Sequence, residues 1–362
     1  MLNFNEPALN IIPHSRPTIG KEEIDAVGNV IASAHIAQGK MVDKFEEAFA
    51  REMGVPHAVS TNSGTAALHL TLLAMGIGLK DEVIIPSYVC TALLNAINYV
   101  GAAPILAEID SQTDNLDLRD VKKRLSEKTK AIIVPHMFGL AANIEGFLEL
   151  DVPIIEDCAQ AIGSLCNDQR VGTFGDAAIF SFYATKVMAS GEGGMVISKS
   201  KHIADGVRDL REYDKKDDYK IRFNYKMTDV HAAIGLVQLS RLQGFIHQRR
   251  KIAQRYHQAF EAFDLQLPPK DPGHIFFRYI LKIKKGSAPW ISFFRKKGIE
   301  CARPVNLPLH RYLNLRGYPI TEAVWKNSLS IPIYPALTDP DVSRVIQAFL
   351  DAYCIADTFQ YE

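Results

Sequence analysis

Apolar positions in the first half of the chain switch between two periods. Over residues 21–34, Ile24, Val27, Val30 and Ile31 recur at helical spacing, and residues 41–54 repeat the pattern with Val42, Phe45, Phe49 and Met53 before a closing Gly54. Residues 57–64 then read as a short strand running into a glycine turn, and residues 65–78 as an apolar helix. The same rhythm predicts strands at 81–86, 103–110, 130–139 and 152–160. Helices are predicted between them at 87–101, 117–129 and about 143–149. Residues 1 to about 18, ahead of all this, read as an extended arm. Strands and helices alternating at this interval predict an α/β fold with a mainly parallel sheet covered on both faces. Such sheets take their ligands at the carboxyl ends of the strands.

The pattern then changes. Residues 176–186 and 192–200 read as strands around a glycine-rich turn, a hairpin-like unit. Residues 230–263 form one long helical stretch with an expected kink near Gly244, long enough to connect two domains. A strand at 276–285 and helices at 291–298 and 341–353 follow. This predicts a large α/β domain over residues 1–249, arm included, and a smaller α+β domain over 250–362.

Composition narrows the function classes. The 362 residues are 47% hydrophobic and 23% charged, and 41 basic residues balance 41 acidic ones. A formal net charge of zero supplies no field for nucleic acid or an anionic membrane, and neither is expected as a partner. Basic runs at 249–251 and 295–297 read as solvated helix faces. The five cysteines are odd in number and no pair has CxxC spacing, so no disulfide framework and no metal site are expected. With no apolar run long enough to span a bilayer and no signal-like start, the expected compartment is the cytoplasm.

Three stretches carry candidate chemistry. In the first, Ser63, Gly64 and Thr65 stand where a strand turns into a helix, whose free N–H groups take phosphate, although a plain cap fits the same residues. Neither GxGxxG nor GxxxxGK[ST] is present. In the second, Glu156 and Asp157 end an apolar strand. A carboxylate there is costly without a partner, and a protonated ring nitrogen is one such partner for Asp157; a cap or a metal is another. Gln160 lies three residues on, within reach of the same ligand. In the third, Lys186 follows a run of apolar and small residues containing Ser181 and precedes Gly191-Glu192-Gly193-Gly194. Desolvation makes such an amine a nucleophile toward a carbonyl, while a solvent-facing lysine before a turn is the common alternative. A phosphate cradle, a ring-nitrogen partner and an imine-forming amine together fit pyridoxal 5'-phosphate.

The stretches NSGTAALHL, DEVIIPSY, IIEDCAQAIGS, GTFGDAAIFSFYATKVMASGEGGMV, FNYKMTDVHAAIGLVQLSRL, PVNLPLH and LSIPIYPALTD occur in this order. On them the chain resembles the DegT/DnrJ/EryC1/StrS family of sugar aminotransferases, from about residue 11 to 350. The resemblance implies the pyridoxal-phosphate transferase fold of type I, with a seven-stranded sheet. It implies Lys186 as the lysine of the internal aldimine and proton shuttle, Asp157 on the pyridine nitrogen, and Gln160 near the ring hydroxyl. It places Ser63, Gly64, Thr65 and Ser181 on the phosphate, and Asn224 on the phosphate in a neighbouring subunit, hence a homodimer with shared sites. It implies transfer of an amino group from an amino acid, glutamate in the first instance, to a nucleotide-linked keto sugar.

The chain also departs from the family pattern. Cys90 stands where an aromatic residue usually covers the ring, so either Cys90 packs on that face or Tyr88 does so from a shifted position. Tyr183 replaces a frequent histidine, Leu140 a frequent glutamine, and Lys226 an arginine. His136, Tyr183, Arg211 and His310 are candidate substrate contacts, with structural roles as their alternatives. Rival functions are a sugar dehydratase, in which the family exchanges the lysine for histidine, and a non-catalytic regulator; retention of Lys186 and Asp157 weighs against both.

Overall fold

A computed structural model describes residues 11–356. Seven strands build the main sheet: β1 (His57–Thr61), β2 (Glu82–Pro86), β3 (Ala103–Ala107), β4 (Thr129–Pro135), β5 (Ile154–Asp157) and, after a small hairpin of β6 (Leu165–Cys166) and β7 (Gln169–Arg170), β8 (Ala177–Ser181) and β9 (Gly194–Ser198). Their order is β1-β9-β8-β5-β4-β2-β3. β9 is antiparallel to both of its neighbours and every other pair is parallel, so six strands point the same way. The expected α/β fold and the hairpin-like unit both appear here, the latter as the antiparallel pair β8–β9.

Residue alternation sends the apolar strand runs to two faces. In β4, Ala131 and Ile133 join one core while Ile132 and Val134 join another. In β8, Ala177 and Ile179 face one side and Ala178 and Phe180 the other. Helices cover both faces: α1 (Lys21–Ala32), α2 (Lys40–Met53), α3 (Gly64–Ala74), α4 (Thr91–Tyr99), α5 (Leu118–Arg124), α6 (Ile144–Leu148), α7 (Lys201–Leu210) and α8 (Asp229–Ser240). The apolar stripe of α2 is buried as expected, and Gly54 ends the helix at φ 69°, a left-handed position that favours glycine.

The long helical stretch breaks at Arg241, three residues before the expected glycine, between α8 and α9 (Leu242–Phe260). Arg241 leaves the helical track at φ −96°, ψ −3°, and reaches Glu23 of α1 at 2.6 Å. Beyond it lie β10 (Tyr279–Lys282), α10 (Ala288–Lys296), α11 (Leu309–Tyr312), α12 (Pro319–Asn327), β11 (Ser328–Ile331) and α13 (Asp339–Cys354). α10, α13 and β11 close with α9 on a separate apolar cluster containing Tyr256, Trp290, Phe294, Ile331 and Phe349, while Leu309 of α11 and Val324 of α12 pack into the core of the main sheet. Ile12 enters the separate cluster and exchanges backbone hydrogen bonds with Gly298 and Glu300; residues 1–10 of the expected arm lie outside the described residues. Among the described residues no helix is long and apolar enough to cross a membrane.

Candidate active site

Because six strands are co-directional, the carboxyl ends of β1, β2, β4, β5 and β8 meet along one edge of the sheet. A cavity of about 260 Å3 opens there. The start of α3 forms one wall. Ser63 caps that helix, its Oγ accepting from Ala66 N–H at 3.1 Å, which leaves the Gly64 and Thr65 N–H groups without intrahelical partners. A Cβ on Gly64 would stand 2.9 Å from Ser181 Cβ and 3.4 Å from Phe180 O, so the end of β8 passes against this turn only because residue 64 is glycine. Ser63, Gly64, Thr65 and Ser181 thus line one pocket with their donors grouped.

Asp157 ends β5 and enters the same cavity. Its Oδ1 accepts from Ala159 N–H at 2.9 Å. Burial pushes its carboxyl above the ordinary range, against the opposing pull of that N–H and of the Lys186 charge. Lys186 comes from the loop between β8 and β9. That loop is fastened by Phe182 N–H to Gly193 O and Ser190 N–H to Phe182 O, both 2.9 Å, while Val187 and Met188 are buried beneath it. Burial pushes the Lys186 amine below its ordinary value, Arg278 adds to this, and Asp157 opposes it. The Lys186 Nζ stands 5.4 Å from the centroid of the Phe277 ring.

Cys90, immediately before α4, is exposed to the cavity that Lys186 and Asp157 also line. Tyr88 is not. Its ring is fully buried in the core, edge-on to Phe138 at 6.3 Å, so the alternative of Tyr88 covering a ligand ring is corrected: two residues of chain separate a core position from a cavity position. Tyr183 is 47% exposed at the cavity wall.

Three candidate substrate contacts are structural instead. His136 is fully buried. Its Nε2 meets Glu156 Oε2 at 3.0 Å and its Nδ1 accepts from Ala142 N–H at 3.0 Å, which ties the end of β4 to β5. Glu156 also accepts from the N–H groups of Gly172, Phe174 and Gly175. Although His136, Glu156 and Cys158 lie within 4.8 Å of one another, that carboxylate is committed to the loop. Arg211 is buried against Glu46 at 2.5 Å and Ser60 O at 2.9 Å. His310 bridges Ser87 Oγ and Glu322, both at 2.7 Å, and stacks on Tyr318.

Two candidates lie beside the cavity lining rather than in it. Gln160 turns its Oε1 to Phe138 N–H at 3.1 Å. Asn224 is exposed, its carbonyl accepting from Asn62 Nδ2 at 3.4 Å. Sequence reasoning missed Glu192, which lines the cavity mouth, and Arg278, whose charge bears on Lys186. The first was legible as the acid within the Gly-Glu-Gly-Gly run. No local signal marked the second.

The sequence profile of the DegT/DnrJ/EryC1/StrS aminotransferase family matches residues 17–350. GDP-perosamine synthase from Caulobacter vibrioides is 34% identical over 355 residues, covering 92% of this chain and 95% of that protein. Among solved structures, the aminotransferase TlmJ from Streptoalloteichus hindustanus superposes with a TM-score of 0.91 at 30% identity, covering 96% of this chain and all of the other. The PLP-form of Spr1654 from Streptococcus pneumoniae gives 0.88 at 26% identity, with 94% and 97% covered. With fold, family profile and full-length relatives in agreement, the chain belongs to the DegT/DnrJ/EryC1/StrS aminotransferase family and is a sugar aminotransferase.

Proposed function

We propose that this enzyme binds pyridoxal 5'-phosphate in the cavity at the strand ends and moves an amino group from glutamate to a nucleotide-linked keto sugar. The observation that carries the reading is the grouping of one half-buried amine, one buried carboxylate and one glycine-lined helix start in a single cavity. When bound, the cofactor supplies an aldehyde for amines and a ring that takes up electrons. The cavity residues fit it. Gly64 and Thr65 N–H groups with Ser181 Oγ hold a phosphate, since a side chain at residue 64 would fill that space. Asp157, short of a cationic partner of its own beyond Lys186, keeps a ring nitrogen protonated. Cys90, rather than a broad aromatic ring, stands beside the amine and the carboxylate.

Lys186 acts as general base and then acid. A depressed amine carries a larger neutral fraction at working pH, so Nζ takes the proton from the α-carbon of the amino donor. In the second half of the cycle it serves the carbon of the sugar that gains the amine. Tyr183 and Glu192 at the mouth meet the sugar. Asn224, exposed and outside this cavity, serves the phosphate of a second subunit in a homodimer. The division into residues 1–249 and 250–362 is part of the same reading; a separate apolar cluster drawn, apart from Ile12, from residues after 250 supports it.

The test is a panel of nucleotide-linked keto sugars offered to the cofactor-loaded enzyme with and without glutamate. Formation of 2-oxoglutarate and of an aminated sugar in equal amounts, only with glutamate, is expected. A deoxygenated sugar formed with glutamate, accompanied by 2-oxoglutarate and free ammonia in place of an aminated sugar, would replace aminotransfer to that sugar with dehydration.

A further inference from the structure

Two cations share one aromatic ring, Lys186 from the lining of the cavity and Arg278 from a separate small pocket that Met137, Phe138 and His274 also line. The Arg278 guanidinium stands 4.9 Å from the Phe277 centroid, and Lys186 Nζ stands 5.4 Å from the same point. The ring's backbone is pinned by Arg249, a buried residue that donates to the carbonyls of Phe276 at 3.3 Å, Phe277 at 3.1 Å and Ile333 at 2.9 Å. Arg278 has no carboxylate partner among the described residues. Among the described residues its one side-chain hydrogen bond runs from Nη1 to Nδ1 of His14 at 3.3 Å. The other ring nitrogen of His14 meets Ser330 Oγ at 2.8 Å, which fixes the imidazole. Burial, with Arg278 second, holds His14 down at about 3, so the imidazole stays neutral and accepts from the guanidinium. Arg211 and Arg222 are paired with Glu46 and Asp209, and the deeply buried Arg249 gives its Nη1 to three carbonyls, whereas Arg278 has one imidazole nitrogen. A desolvated guanidinium with donors to spare is costly unless something anionic visits it.

Resting on the aminotransfer reading above, the geometry points to Arg278 as the group that receives the α-carboxylate of the amino donor. The carbon that yields its proton to Lys186 Nζ bears that carboxylate directly, so the anion arrives close to Nζ. The diphosphate of a nucleotide-linked sugar is held away from the reacting carbon by the sugar ring itself. A cation near enough to bias Lys186 therefore suits a carboxylate, and the planar guanidinium offers it paired donors. His14 is a positioning residue: it occupies one nitrogen and aims the others.

Cofactor-loaded protein mixed with glutamate in a stopped-flow spectrometer tests this. Arg278→Ala is expected to raise the glutamate concentration for half-maximal rate by about tenfold or more, the size expected for loss of a charge-assisted hydrogen bond, with a smaller fall in the limiting rate. With 4-aminobutyrate, which lacks the α-carboxylate, the same variant and the wild type are expected to agree within about twofold. Calorimetry with glutarate gives a second readout, independent of turnover, with binding lost in the variant. Arg278→Lys keeps charge without the fork and is expected between the two; it carries the test if the alanine variant does not fold. An unchanged glutamate requirement in the lysine variant and retained glutarate binding, or equal losses with glutamate and 4-aminobutyrate, would overturn the assignment. A wild-type enzyme whose spectrum no amino acid changes would defeat the aminotransfer reading instead, and glutarate calorimetry would still decide on Arg278.

Discussion

Asp157 is held at a cost that its chemistry explains. A carboxyl raised by burial keeps its proton in the folded state at pH values where the unfolded chain, near 3.8, has released it. The penalty is complete above the folded value and fades as pH falls toward 3.8. Asp157→Asn is therefore expected to raise the melting temperature of the cofactor-free protein at pH 7 to 8, with the gain vanishing near pH 4, while turnover falls by about a hundredfold or more. Thermal scans across pH check the first part and steady-state kinetics the second. Asp157 and Lys186 were legible because a charge at the end of an apolar run has few inexpensive explanations. Arg211 and His310 were not separable from ligands on sequence, because their partners Glu46 and Glu322 lie in other elements and no local pattern announces the pairing.

At the scale of elements, the pair Glu46–Arg211 ties α2 to the end of α7, and Glu46 also accepts from the Ser60 N–H of β1 at 2.9 Å. Removing one member of a buried pair leaves the other uncompensated. Glu46→Ala is thus expected to destabilise the protein by about 3–5 kcal/mol in denaturant unfolding. The α3 start makes a different prediction. Gly64→Ala places a methyl 2.9 Å from Ser181 Cβ, in the phosphate cradle. Weakening of cofactor affinity by about tenfold, measured by equilibrium titration, is expected with little change in the far-UV spectrum. The strand–helix alternation of the first half was readable because both sheet faces are buried and the period shifts are clean. α12 and the four-residue β11 went unread because short or proline-flanked segments take their structure from what they dock on; α7 also went unread, although Ile203, Ala204 and Val207 stand at helical spacing. The helix break fell at Arg241 because its ion pair with Glu23 fixes the turn, whereas Gly244 stands in open space.

The whole molecule brings the ends of β1, β2, β5 and β8 and the loop between β8 and β9 to one place, and the proposal adds a second subunit through Asn224. Shared sites make a specific prediction. Lys186→Ala and Asn224→Ala proteins, each inactive alone, are expected to regain about a quarter of wild-type activity when unfolded together and refolded, since half the dimers are mixed and each carries one intact site. Separate sites within each chain would give no recovery. Assembly was not legible from apolar patterning, because the sequence reports which faces are buried and not by which copy.

Borohydride reduction of the pyridoxal-phosphate-loaded enzyme, followed by peptide mass mapping, reads out directly which amine holds the cofactor. One stoichiometric cofactor label is expected on the peptide containing Lys186, and none in Lys186→Ala. A label spread over other lysines, or the same label in that variant, would contradict Lys186 as that amine.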